Sequence, residues 1–117
     1  MSIRLTFFLL LCCLSVTAQV KICSWNLCDM GKSKSPESIK QMADVLKEFD
    51  VVAIQEIVTG PEGAKAIVKL IDALDNTGTD WDYSISDPTQ GTRQKRERYA
   101  FLWKPSKVTK VGNAWLD

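Results

Sequence analysis

Asp50-Val51-Val52-Ala53-Ile54-Gln55-Glu56 is the stretch that decides the fold. Four apolar residues, mostly β-branched, are bounded by Asp50 on one side and Gln55-Glu56 on the other. A short apolar run without alternation is the pattern of a central strand covered on both faces. Upstream, Val20 to Leu27 reads as a second buried strand, with Ile22, Cys23, Trp25 and Leu27 distributed over both faces. Between the two, Ser35 is a good helix N-cap, Pro36 suits the first helical position, and Glu37 lies where the helix dipole favours an acid. Ile39, Met42, Ala43 and Leu46 recur at helical spacing, so an amphipathic helix is predicted over Pro36 to Glu48.

Downstream, Thr59-Gly60-Pro61 starts a second helix. Ile67, Leu70, Ile71 and Leu74 supply its buried stripe, and Asn76-Thr77-Gly78-Thr79 ends it. Trp81 to Ser86 reads as a strand, Asp87 to Gly91 as a turn, and Arg93, Lys95 and Arg96 as a basic loop. Arg98-Tyr99-Ala100-Phe101-Leu102-Trp103 is an aromatic strand, and Lys107 to Val111 is expected to pair back on it as a hairpin after Lys104-Pro105-Ser106. The order β-α-β-α followed by a meander implies an α/β fold, a mixed β-sheet with two helices on one face. The other face is expected to carry Trp25, Phe101 or Trp103 and to lack a covering layer. A broad apolar face of that kind is rarely left open. A second sheet packed at ~10 Å would cover it, and on this ground the chain is expected to be a truncated portion of a larger domain.

The first 18 residues read as a signal peptide. Arg4 supplies the charge, Leu5 to Val16 an apolar or small-residue run, and Val16-Thr17-Ala18 a small-residue cleavage site before Gln19. The run is shorter than the ~20 apolar residues of a spanning helix. Cys12 and Cys13 resemble an acylation site only loosely, because bulky Leu11 precedes them. Export to a secreted or periplasmic location, without stable membrane association after cleavage, is the expectation, and residues 19–117 form a single small domain. The chain has 15 basic and 14 acidic residues. Loss of Arg4 brings these into balance, a charge that neither marks nor excludes a nucleic-acid partner. Cys23 and Cys28 would be permitted to pair in an oxidising compartment. Five residues of strand span ~16 Å, however, against the ~7 Å between Cα atoms that a disulfide tolerates. A strand here therefore leaves the two unbridged.

The chemistry sits at the strand ends. Asn26 and Glu56, an amide and a carboxylate closing two neighbouring apolar strands, can meet at one point. Oxygen donors of that kind suit a hard cation such as Mg2+. The chain contains no histidine, so the usual acid/base group at neutral pH is missing from it. Plainer readings stand beside these. Asn26 can be a strand-end capping residue, Glu56 a rim carboxylate, and Glu97 a partner of Arg98 or Lys95. The basic loop can be a solvated turn, and Trp25, Trp103 and Tyr99 are read as core. Asp29 is a minor candidate beside the metal end.

Ser24-Trp25-Asn26, Asp50 to Glu56, and Glu97-Arg98-Tyr99-Ala100-Phe101-Leu102-Trp103, in this order and spacing, resemble the endonuclease/exonuclease/phosphatase superfamily, and within it the deoxyribonuclease I branch. Tyr83-Ser84-Ile85-Ser86-Asp87-Pro88 and Lys104-Pro105-Ser106-Lys107-Val108 extend the similarity, which runs from about Lys21 to Val111. The resemblance implies a four-layer α/β sandwich of which this chain supplies half, and metal-dependent hydrolysis of DNA or another phosphoester. It also implies that the C-terminal half of the domain is missing from these residues. By position, it makes Glu56 the metal-binding carboxylate and Asn26 a ligand or phosphate contact. Glu97 becomes the acid that orients a catalytic histidine, which would come from the second half. Cys28 and Val58 stand where that branch carries arginines that grip DNA, and Lys95 where it carries a tyrosine. Other substrates, such as a lipid or sugar phosphate, and a non-catalytic binding role remain open alternatives.

Overall fold

The computed structural model describes residues 19–31, 34–92 and 96–113, with Asp29 described by its backbone alone. The first 18 residues, read above as a signal peptide, and the loop residues Arg93 and Lys95 lie outside the described residues.

Six elements follow in the order β1 (Ile22–Met30), α1 (Pro36–Leu46), β2 (Val51–Ile57), α2 (Pro61–Asp75), β3 (Asp82–Ile85) and β4 (Arg98–Trp103). Ser35 caps α1 as its sequence demands, its hydroxyl oxygen accepting the Ser38 N–H at 3.1 Å. The helix closes at Leu46, with the Lys47 N–H still bonded to the Ala43 carbonyl. Pro61 begins α2 behind Gly60.

The four strands form one mixed sheet in the order β1-β2-β4-β3. The crossover through α1 makes β1 and β2 parallel. β4 returns antiparallel to β2 and to β3. Ile39, Met42, Ala43 and Leu46 of α1 and Ala66, Ile67, Leu70, Ile71 and Leu74 of α2 share one core with Leu27, Val52, Ile54, Ala100 and Leu102. Both helices therefore cover the same face, and the chain has the α/β fold, a mixed sheet with two helices on one face, that the element order implies. It is consistent with half of the four-layer sandwich that the resemblance implies.

Pleat parity corrects one expectation about the other face. Cys23 and Trp25 pack against the helix-side core, so Trp25 does not belong to the open face. The register rows Ile22↔Val51↔Trp103 and Ser24↔Ala53↔Phe101 form the open face instead. There Ile22 is 70 % and Phe101 46 % exposed. The sequence carried the signal: Ser24 and Asn26 alternate with Cys23, Trp25 and Leu27, leaving the aromatic on the apolar side.

The expected hairpin over Lys107 to Val111 does not form, since no strand follows β4 among the described residues. β4 already has β2 on one edge and β3 on the other, so both of its hydrogen-bonding edges are occupied. The chain instead turns through Lys107 and Val108, whose N–H groups bond the Lys104 carbonyl. It then borders a groove of about 430 Å³ on the open face with Val51, Phe101 and Trp103. Among the described residues no helix is long and apolar enough to cross a membrane.

Candidate active site at the carboxyl ends of the central strands

Strict alternation along β2 would put Glu56 on the helix face, in line with buried Val52 and Ile54. A bulge prevents this. The β2–β4 register runs from Ile54↔Ala100 to Ile57↔Arg98, so Gln55 and Glu56 together oppose Tyr99. Glu56 takes a left-handed backbone with φ +56°, a cost of about 1–2 kcal/mol for a residue with a Cβ. The parity shift sends Ile57 into the core at 0 % exposure and leaves Glu56 half-buried at the rim.

The neighbouring strand uses the same device. Asn26 pairs with Gln55, but Met30 is the residue that pairs with Ile57. Cys28 sits between them at φ +46°. The extra residues turn the strand so that Met30 is fully buried. Paired bulges at one level of two adjacent strands re-aim side chains, and left-handed non-glycine residues concentrate where function needs them.

The bulged region is held from below. The Val58 N–H donates to the Met30 carbonyl at 3.1 Å, closing the sheet beyond both irregularities. Val58 is seated between two glycines. A Cβ on Gly31 would lie 2.7 Å from Val58 Cγ2. One on Gly63 would collide with the Val58 carbonyl oxygen and lie 2.9 Å from Ile57 Cγ2. The first turn of α2 thus presses directly on the end of β2.

Asn26 lies at the exposed mouth of this region. Its Oδ1 accepts the Cys28 N–H at 3.0 Å, which is the strand-end capping role in part. The amide NH2 is its donor side. Below it, Gln55 Nε2 donates to Ser24 Oγ at 2.8 Å, tying β1 to β2 on the open face. Cys23 and Cys28 are both free thiols.

Across β2, the Tyr99 hydroxyl donates to Glu97 Oε1 at 2.6 Å. Glu97 therefore pairs with a phenol, whereas the sequence reading weighed Arg98 and Lys95. The hydrogen bond to Glu97 is the main cause that pushes the Tyr99 hydroxyl above the ordinary tyrosine value, and burial and the charges of Glu97 and Glu56 add to it. Glu56 stands opposite Tyr99 in the β2–β4 register, which brings its charge toward the same hydroxyl. Of the basic loop, Arg96 is described: its Nε donates to the Thr89 carbonyl at 3.0 Å, bracing its own loop. Val58, where the resemblance places a DNA-gripping arginine, is packing.

Asn26, Glu56 and the Tyr99–Glu97 pair therefore gather around the carboxyl ends of β1 and β2 and the start of β4. Tyr99, expected in the core, is instead half-buried with its hydroxyl on Glu97, a contact that the i, i+2 spacing of Glu97 and Tyr99 on one strand face allows. The bond from Gln55 to Ser24 carried no sequence signal. Among the described residues no three His, Cys, Asp or Glu side chains cluster closely enough to enclose a metal. Mg2+ does not need such a cage, since it keeps several waters and binds through one or two carboxylates plus substrate phosphates. A part-exposed Glu56 with an amide beside it fits that donor chemistry.

A mixed sheet with both helices on one face is an α/β fold consistent with half of a two-sheet sandwich. No family model matches the chain. A protein named Deoxyribonuclease from Thioalkalivibrio sp. (strain K90mix) is 36 % identical over 98 residues, 83 % of this chain and 26 % of that relative. Deoxyribonuclease-1 of Oryctolagus cuniculus is 27 % identical over 106 residues, covering 89 % of this chain and 37 % of the relative. Deoxyribonuclease-1 of Homo sapiens is 27 % identical over 101 residues, 84 % of this chain and 35 % of the relative. The chain is thus a relative of the deoxyribonuclease I-like proteins along most of its length. It spans between about a quarter and a little over a third of theirs.

Proposed function

We propose that this chain contributes the metal-holding half of an exported phosphodiesterase that cleaves DNA. The observation that supports the reading is the bulge that lifts Glu56 out of the core at the strand end where Asn26 pairs with Gln55 and Tyr99 bonds Glu97. The similarity to proteins named deoxyribonuclease supports DNA as the substrate. Glu56 would hold a divalent cation, Mg2+ by its donor chemistry, and the ion would supply positive charge to phosphoryl oxygens. With Oδ1 engaged by Cys28, Asn26 offers its NH2 to a phosphoryl oxygen, adding no negative charge to the site. Glu97 has Oε1 fixed by Tyr99 and the other oxygen available to orient an imidazole and stabilise its protonated form. The chain has no histidine, so that imidazole must come from outside these 117 residues. On this reading the 117-residue chain alone does not cleave DNA.

The test is a chimera in which residues of this chain replace the 98 matching residues of the Thioalkalivibrio protein. Mg2+-dependent nicking of plasmid DNA is expected, with loss on Glu56→Ala. Folded chimera without nicking, or nicking indifferent to Glu56→Ala, refutes the proposal. A second reading has one observation in its favour: the half-buried Val58 packs its side chain against Gly31 and its carbonyl against Gly63 and offers no cation for a DNA backbone. Hydrolysis of a lipid or sugar phosphate by the same chimera, in preference to plasmid, would mark that alternative.

A further inference from the structure

The mouth holds two acids and one phenol, and the phenol has a single proton to give. It gives it to Glu97, at 2.6 Å. Both ends of that contact are pinned by the segment that follows β3. The Tyr99 N–H donates to Ser86 Oγ at 2.9 Å and the Ser86 N–H to the Tyr99 carbonyl at 2.8 Å. The Glu97 N–H donates to Thr89 Oγ1 at 3.1 Å, and the Thr89 N–H to the Glu97 carbonyl at 2.8 Å. Four bonds thus fix the backbone on either side of the hydroxyl–carboxylate contact. By contrast, Glu56 sits on a bulge whose backbone is strained and whose partners are the two strand ends.

With Gln55 and Glu56 opposite Tyr99 across the β2–β4 pair and Glu97 on the Tyr99 hydroxyl, both acids border one residue, and a cation shared between them would draw Glu97 away from any donor it is meant to orient. We infer that Tyr99 is a positioning residue that divides the two acids: its hydroxyl ties Glu97 into the β3–β4 frame, leaving Glu56 as the carboxylate for the cation. The inference rests on the function proposed above and adds to it a residue with a distinct task. Tyr99 acts through Glu97, and a phenylalanine in its place would keep the packing while releasing the acid.

Mn2+ binding to the 117-residue chain tests this without any turnover, by counting free Mn2+ and by mapping paramagnetic broadening. With Tyr99 intact, Glu97→Gln is expected to change Mn2+ affinity by no more than about twofold, as for uncoupled sites. Tyr99→Phe is expected to tighten binding roughly three- to fivefold, the effect of one added exposed ionic contact. Adding Glu97→Gln to Tyr99→Phe should cancel that gain. A merely structural tyrosine would leave binding indifferent to Glu97 in both backgrounds, and that result overturns the inference while the role of Glu56 stands. If Glu56→Gln does not weaken Mn2+ binding, or the unmutated chain binds none, the underlying reading fails and the division of the acids goes with it. Should Tyr99→Phe not fold, the intact background still decides: a loss on Glu97→Gln as large as that on Glu56→Gln means that the acids share the ion, and Tyr99 divides nothing.

Discussion

Lys104 Nζ stands 3.6 Å from Asp50 Oδ1 at the end of β2 farthest from Glu56. Asp50 is buried at 6 % exposure, and its Oδ2 accepts the Lys21 N–H at 2.9 Å. Lys104 also donates to the Lys47 carbonyl at 2.7 Å and lies 5.3 Å from the centroid of the Trp81 ring. One buried acid therefore ties together the start of β1, the end of α1, the start of β2 and the end of β4. The two ends of the central strand have separate duties: charge pairing secures one, while the other is strained at Glu56 and shows no ion pair there among the described residues.

The Asp50 network should show in acid stability. The Lys21 N–H, and then the charges of Lys104 and Lys107, hold the Asp50 carboxyl below the ordinary aspartate value, against the opposing effect of burial. A carboxyl lowered in the folded state contributes stability above its unfolded pKa, and that contribution is lost as pH falls through the folded one. The loss is expected below about pH 4. Asp50→Asn should flatten the fall in stability across that window, as followed by urea denaturation at several pH values. Asp50→Ala should cost about 1–3 kcal/mol at neutral pH, because the Lys21 N–H loses its acceptor. An unchanged acid limb in Asp50→Asn would remove the network from the account.

Gly63 should be intolerant of any side chain. The Cβ of Gly63→Ala meets backbone at Val58 and cannot be relieved by a rotamer change. A destabilisation of about 1–3 kcal/mol is expected from overpacking, measurable by chemical denaturation. Because Val58 adjoins the Glu56 bulge, amide shifts at Gln55 to Val58 should move more than those around Asp50. Gly78→Ala serves as a contrast, with no atom within 4 Å of its added Cβ, although its φ of +105° carries its own strain.

The Tyr99–Glu97 contact makes an optical expectation. The chain has two tyrosines, so a Tyr83→Phe background isolates Tyr99. Its phenol should ionise above the ordinary tyrosine value, since the hydrogen bond to Glu97 and the nearby negative charges favour the protonated form. Glu97→Gln should bring the transition back toward the ordinary value, read by absorbance during alkaline titration. Glu56→Gln should move it the same way but less, because Glu56 acts by field alone. Indistinguishable titrations of these variants would mean that the hydroxyl points elsewhere in solution.

Most of the architecture was legible in the sequence, because caps and periodicity agree element by element. Ser35-Pro36 and Gly60-Pro61 mark both helix starts, and the run after Asp50 marks the central strand. The hairpin over Lys107 to Val111 was misread because strand propensity says nothing about whether a partner edge is free. The bulges were also missed, yet their signal is visible afterwards. Counting by twos from Val52 and Ile54 assigns Glu56 to an oily core, a conflict that the chain resolves by breaking the count. Where local pattern and residue chemistry disagree, a site is the place to look. That β1 and β2 lie side by side, with Asn26 opposite Gln55, was readable from the strand-helix-strand order, whereas the bond from Tyr99 to Glu97 was not, because Tyr99 was read as core.

That broken count gives the most discriminating stability measurement. Glu56 adopts φ +56° with a full side chain, a conformation that glycine reaches without steric cost. If the glutamate is there for its carboxylate and not for the fold, Glu56→Gly should raise stability by about 0.5–1 kcal/mol, part of the left-handed penalty offset by the greater freedom of glycine when unfolded. The same variant should lose Mn2+ binding altogether. Glu56→Ala should lose the ion equally but gain no stability, since its Cβ keeps the clash. The pair therefore separates backbone strain from side-chain chemistry at a single position. A residue retained against stability is retained for what its side chain does. Glu56→Gly that proves less stable than the unmutated chain would instead make the carboxylate a structural clamp of the bulge, and its place at the strand end would then be explained by folding alone.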